Sequence, residues 1–178
     1  VSVMKAKGFF GLMKMDTLII NPTEVDVPLY SYDRIFAMGN DTLIVELYDT
    51  FLCEKSDEGY AAMAGLAKVK EEYSSLPERD PGEHWYDDIK LTESISKKGK
   101  KAQTPDMDAL TMKHFEAYLG APVPVVEGEE AQTAKRQKAA VYVNGLLDKG
   151  GPSTDVFLKT FGKEKTDQLF KEVLLIDL

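Results

Sequence analysis

The run from Pro28 to Tyr48 constrains the fold more than any other part of the chain. Pro28 can occupy the first position of a strand, and Leu29 to Met38 carries a β-prone run. Gly39-Asn40-Asp41 is a turn signal, and Thr42 to Tyr48 resumes the β-branched and aromatic pattern. Together they predict a hairpin. Leu43-Ile44-Val45 is apolar on both sides of the pleat, so the sheet holding it is expected to be covered on both faces.

The elements on either side set the fold class. Met15 to Ile20 is a second β-prone run, stopped by Asn21-Pro22. Downstream the periodicity turns helical. Asp57 to Tyr73 has a stripe of Tyr60, Met63, Leu66, Ala67 and Tyr73, and Thr104-Pro105-Asp106 opens a helix that runs to Leu119 before Gly120. Glu129 to Asp148, Ser153 to Phe161 and Lys165 to Leu174 complete the helices, separated by Gly150-Gly151-Pro152 and Gly162. Trp85 to Ser96 stays open between strand and loop. Strands gathered early and helices later predict an α+β fold with an antiparallel sheet, in one domain over residues 1–178.

Composition excludes several classes. With 30 acidic and 22 basic residues, the net charge of −8 argues against nucleic acid as a partner. No apolar run approaches the ~20 residues of a membrane span, so no membrane partner is expected. One cysteine, Cys53, and two histidines give neither a disulfide nor a metal site, which fits a reducing, cytoplasmic setting. The block Lys97 to Lys101 reads as a solvated loop, or as a docking patch for an acidic protein. Lys135, Arg136 and Lys138 form a second basic group.

Asp33 is the anomaly, a carboxylate inside a strand. A three-residue loop at Gly39 to Asp41 sets Asp33 opposite Leu47 and Arg34 opposite Glu46. Arg34 and Glu46 then neutralise each other, and Asp33 lies on the other face among Ile35, Leu43, Val45 and Leu47. A two-residue loop instead puts Tyr48 opposite Asp33 and Glu46 on its face. Burial without a cation raises a carboxyl pKa, which makes Asp33 a candidate general acid. A strand aspartate paired with a distant cation, or facing solvent, is the plainer alternative. His84 and His114 read as surface or core-edge residues, and Gly150 to Thr154 as a helix-to-helix turn that could hold an anion.

Two stretches resemble the ferredoxin-dependent bilin reductases. GPSTDVFLKTFGKEKTDQLFKEVLLID, with Phe161-Gly162 and Val173-Leu174 to Asp177, is similar to the ending of that family, and Pro28-Leu29-Tyr30-Ser31-Tyr32-Asp33 is similar to its Pro-Leu-Phe-x-x-Asp strand. Trp85, after a proline-containing loop, resembles a family tryptophan. The resemblance implies a three-layer α/β/α sandwich with a central antiparallel β-sheet, and a linear tetrapyrrole between the sheet and the C-terminal helices. It implies Asp33 as catalytic proton donor, Ser31, Ile35, Thr17 and Gly151 as substrate-binding positions, and no metal. It also implies no permanently bound cofactor, electrons coming from an external ferredoxin or flavodoxin docked at Lys97 to Lys101.

The departures are specific. The strand histidine that partners the acid in the family falls at about Thr17, a helix-opening aspartate falls at Gly150-Gly151, and a sheet glutamate falls near Lys5. The family's N-terminal part is missing or lies upstream of Val1. The expected activity is therefore tetrapyrrole binding with proton-coupled reduction. The alternatives are a non-catalytic binding or interaction protein on the same fold, and an enzyme of unrelated chemistry.

Overall fold

Met38 and Gly39 alone turn the central hairpin, both in the left-handed region at φ 50° and 73°. Asn40 and Asp41 already belong to the second strand, pairing with Ala37 and Phe36. The expected three-residue loop is therefore wrong, and the register shifts with it: Asp33 lies opposite Ile44, Arg34 opposite Leu43 and Ser31 opposite Glu46.

In the computed structural model, which describes residues 1–54, 60 and 63–174, the hairpin is the centre of a five-stranded antiparallel meander. The strands are β1 Ser2–Gly8, β2 Met13–Ile20, β3 Leu29–Ala37, β4 Asn40–Tyr48 and β5 Ile95–Lys100, each bonded to the next in chain order. The helices are α1 Ala64–Glu72, α2 Thr104–Leu119, α3 Glu129–Lys149, α4 Pro152–Phe161 and α5 Lys163–Gln168. Residues Leu169–Leu174 continue α5 as a π-helical turn. The stripe expected over Asp57 to Tyr73 lies partly outside the described residues, as does the C-terminal close after Leu174.

Alternation along the strands divides the sheet into two faces. Tyr30, Leu43, Val45, Leu47 and Ile95 bury one face against Leu66 of α1 and Met107, Leu110 and Tyr118 of α2. Leu29 and Tyr48 bury the other against Ala139, Tyr142, Val143 and Leu146 of α3, with Phe170 beyond α5. The result is an α+β sandwich with helices on both sides of the antiparallel sheet.

Three local details correct the sequence reading. Ile95 to Lys100 is a strand, not a solvated loop, and Lys97 points inward at 1% exposure, bonded to the Leu76 carbonyl at 3.0 Å and to Glu78. Helix α2 begins at Thr104 with no side-chain cap; the Thr104 hydroxyl instead donates to Asp41 Oδ2 at 2.6 Å. Arg34, expected beside Glu46, is buried on the opposite face, where its Nε sits 2.5 Å from Asp41 and its Nη2 3.1 Å from Asp108.

Helix α3 is fixed to the sheet by a buried ion pair. Lys135 Nζ meets Asp26 Oδ1 at 2.9 Å, the Val27 carbonyl at 2.6 Å and the Thr50 carbonyl at 2.7 Å, so all three ammonium protons have acceptors. Asp26 also accepts the backbone N–H groups of Leu52 and Cys53. Burial pushes the Asp26 carboxyl up, but the bonds from Leu52, Lys135 and Cys53 outweigh it and hold the pKa below its usual value. Burial, with a smaller push from the charge of Lys138, pulls the Lys135 pKa down against the bond and charge of Asp26.

The C-terminal half of α3 is fixed by an aromatic contact. Trp85 Nε1 donates to the Gly150 carbonyl at 2.9 Å, and the indole lies so close to α3 that a Cβ on Gly145 would fall 2.1 Å from a ring carbon. A Gly145→Ala variant is expected to displace the indole, destabilising the fold by about 1–3 kcal/mol despite alanine's better helix propensity. Denaturant unfolding of the variant checks this, and tryptophan fluorescence reports the displacement, Trp85 being the one tryptophan in the sequence.

Candidate functional site

Register brings the site together. Thr17 of β2 lies opposite Asp33, which lies opposite Ile44, while Ser31 lies opposite Glu46. Thr17, Ser31, Asp33, Ile35, Ile44 and Glu46 therefore share the face turned toward α3. Thr17 and Ser31 are buried, whereas Asp33, Ile35, Ile44 and Glu46 are only half-buried, as are Met4 and Met15 further out on the same face. The helical layer covers this part of the sheet incompletely.

Asp33 lies in that gap. The Thr17 hydroxyl donates to Asp33 Oδ1 in a short hydrogen bond, and among the described residues no cation pairs with the carboxyl. Burial raises the Asp33 pKa; the Thr17 bond opposes the rise and the charge of Glu46 adds to it. The expected apolar neighbours Leu43, Val45 and Leu47 are on the opposite face, so burial comes from the α3 side and the like charge from Glu46.

A chain of hydroxyls leads away from the second carboxylate. Tyr142 donates to Tyr48 at 3.0 Å, and Tyr48 donates to Glu46 Oε2 at 2.6 Å, with the two rings stacked 3.9 Å apart. Tyr86 meets both rings edge-on at 5.6 and 6.0 Å, and His84 stacks on Tyr86 at 4.8 Å. Burial raises the Tyr86 and Tyr142 hydroxyls, and the charges of Glu46 and Asp33 raise both further. These phenols stay protonated as Asp33 titrates; the Tyr142 proton is spent on Tyr48, which leaves the Tyr86 hydroxyl to donate to a ligand's oxygen or nitrogen atoms.

The sequence reading found Thr17, Ser31, Asp33 and Ile35, which the structure aligns on one face. It gave Glu46 and Tyr48 to this face only under the two-residue loop, where Ile44 rather than Tyr48 proves to lie opposite Asp33, and it missed Tyr86, Tyr142 and the placement of His84. The correct turn length would have found Glu46 and Tyr48, while nothing in the helical stripe of α3 marks Tyr142. Gly151 lies elsewhere, at the N-terminus of α4 and close to Leu146. Lys135 is buried and Lys138 bonds the Phe51 carbonyl, so the second basic group is not a continuous surface.

His114, expected at a surface or core edge, is fully buried on the other face with Nδ1 3.3 Å from the Tyr30 hydroxyl. Burial lowers its pKa from 6.5 to about 4. The unfolded chain therefore takes up a proton near pH 6.5 that the folded chain refuses until about pH 4, and stability falls as pH drops through that window. The loss is expected to be about 3 kcal/mol, and a His114→Phe variant should flatten that part of the profile in denaturation at successive pH values. Asp33 acts in the opposite direction: its raised pKa favours the folded state at low pH, a contribution lost as pH rises above the usual aspartate range.

A scan of protein-family models finds no match, and no curated protein matches in sequence. Among solved structures, the chain is similar to the crystal structure of phytochromobilin synthase from tomato in complex with biliverdin, with a TM-score of 0.61 over 97% of this chain and 73% of that one, at 10% identity. The two share a fold. Phytochromobilin synthase is a ferredoxin-dependent bilin reductase, and at this identity the likeness concerns the path of the backbone rather than the site residues.

Proposed function

We propose that the protein binds a linear tetrapyrrole, or a similarly flat propionate-bearing molecule, over the Asp33 face of the sheet and reduces it with electrons from an external donor. The observation that carries this reading is Asp33 itself: a carboxyl with no cation partner among the described residues, raised in pKa by burial and by Glu46, on a face that the helices leave partly open. The fold shared with a biliverdin-bound protein supplies the ligand class.

The chemistry needs little more than this group. At each step the donor adds one electron to the ligand's conjugated system, Asp33 transfers its proton to the carbon that becomes C–H, and the carboxylate recovers a proton from solvent. A neutral acid suits this role because it gives up a proton where water is scarce. The Tyr86 hydroxyl donates to a polar atom of the ligand and holds it in register over Asp33, with Tyr142 fixing the neighbouring Tyr48 ring through its own proton.

Thr17 favours a second reading, binding without turnover. It occupies the position where the resembling family has a histidine beside the acid, and it touches Asp33, yet a threonine holds no second exchangeable charge. Visible spectra separate the two readings. Biliverdin added to the protein should shift and sharpen in absorption, and a ferredoxin reducing system should then bleach the bound form if turnover occurs. An unchanged spectrum on mixing removes the ligand class, and a bound spectrum that survives reduction leaves the binding protein.

A further inference from the structure

The meander places the β1–β2 turn, the β3–β4 turn, the end of β5 and the start of α2 at one end of the sheet. The apolar side chains at that end point outward. Phe10 is fully exposed, Leu12 is 71% exposed and Met38 is 84% exposed. Phe10 and Met38 also hold left-handed backbone, at φ 56° and 50°, where glycine or asparagine would sit at lower cost. Neither the strain nor the exposure is repaid within the fold.

Lysines surround these tips. Lys7 and Lys14 are direct cross-strand partners on the face opposite Asp33, an arrangement of like charges that weakens a sheet. Lys5, Lys7, Lys14 and Lys101 line a cleft of about 960 Å³ together with Leu12 and Met38, and none of the four is in an ion pair among the described residues. Lys100 is exposed beside them, bonded to Asn40. The acids near this end include Asp16, Asp41, Asp106 and Asp108, of which Asp41 and Asp108 are paired with Arg34. Edge-strand lysines alone can serve to block sheet extension, but that explains neither Lys14, on an inner strand, nor Lys101, outside the sheet.

From this juxtaposition of exposed apolar tips and unpaired lysines we infer that this end of the protein docks on an anionic lipid bilayer, with Phe10, Leu12 and Met38 at headgroup depth and lipid phosphates in the lysine cleft. A chain of net charge −8 is repelled by such a surface as a whole, so the contact depends on charge within a Debye length of the bilayer. No helix among the described residues is long and apolar enough to cross a membrane. The sequence expectation of no membrane partner rested on spanning runs, and hydropathy runs do not detect a surface contact. This site is on the other sheet face from Asp33 and is independent of the proposed tetrapyrrole reading.

Co-sedimentation of the full chain with phosphatidylcholine vesicles, with and without phosphatidylglycerol, tests the inference. Binding is expected to phosphatidylglycerol-containing vesicles only, and to weaken about tenfold in high salt. A Phe10→Gly/Met38→Asn variant relieves both left-handed positions, so it should hold or raise thermal stability while losing about tenfold in vesicle affinity. A Lys7→Gln/Lys14→Gln variant should lose binding and most of its salt dependence. Absence of binding to the anionic vesicles, equal binding to pure phosphatidylcholine, or full binding by both variants overturns the inference. Retention on immobilised polyglutamate with no vesicle binding also overturns it, in favour of an acidic protein partner.

Discussion

An Asp33→Asn variant is expected to keep the spectrum of bound biliverdin and to lose turnover by about 10²–10⁴-fold, the range that a positioned proton donor contributes. Asparagine preserves size and can still hydrogen-bond Thr17, so the sheet face and the binding surface persist. It cannot supply the proton. Because Glu46 is the charge that adds to the rise in the Asp33 pKa, a Glu46→Gln variant should lower that pKa and move the alkaline limb of the activity profile toward lower pH. The pH dependence of reduction, measured with the same donor, checks both. Turnover unchanged in Asp33→Asn removes this residue from the mechanism without touching the binding result.

The largest effect on stability is expected at Lys135. Replacing it with methionine leaves Asp26 at 5% exposure with its ammonium partner gone, takes the Lys135 donor from the Thr50 carbonyl, and leaves the Val27 carbonyl with the longer bond from the Thr50 hydroxyl. Breaking a buried pair from one side costs about 3–5 kcal/mol, or about 10 °C in melting temperature for a chain of this length. The double variant Asp26→Asn/Lys135→Met is expected to lose less than the sum of the two single variants, because no uncompensated charge remains. Thermal and denaturant unfolding of the three proteins provide the measurement.

The fold was legible where local chemistry agrees with tertiary structure. The β3–β4 hairpin, α2 ending at Gly120, and the breaks at Gly150-Gly151-Pro152 and Gly162 all follow from turn and capping residues. Strand β5 was hidden because its sequence, ISKKGK, has the composition of a loop; pairing with β4 and the inward course of Lys97 are tertiary facts. Strand β1 was hidden for the same reason, with lysines at alternate positions.

At the site, one misjudged turn moved half of the constellation to the wrong face. Gly39-Asn40-Asp41 carries residues suited to a loop, but Met38 accepts the left-handed conformation and the turn closes one residue earlier than its composition suggests. Asp33 stood out as a charge in a strand whichever register held. Glu46 and Tyr48 depended on that register, and Tyr142 depends on how a helix more than ninety residues away is docked, as its bond to Tyr48 shows.

That docking has a kinetic side. Every strand of the meander pairs with its neighbour in sequence, so most of the sheet can zip up from local hairpins, whereas the Asp26–Lys135 contact closes a loop of 109 residues. The helical layer beside Asp33 is thus expected to dock late in folding, and to be the part whose transient lifting demands the least global disruption. A rigid, bulky guest would gain admission by momentary detachment of α3 and its successors, the five-stranded sheet staying intact beneath.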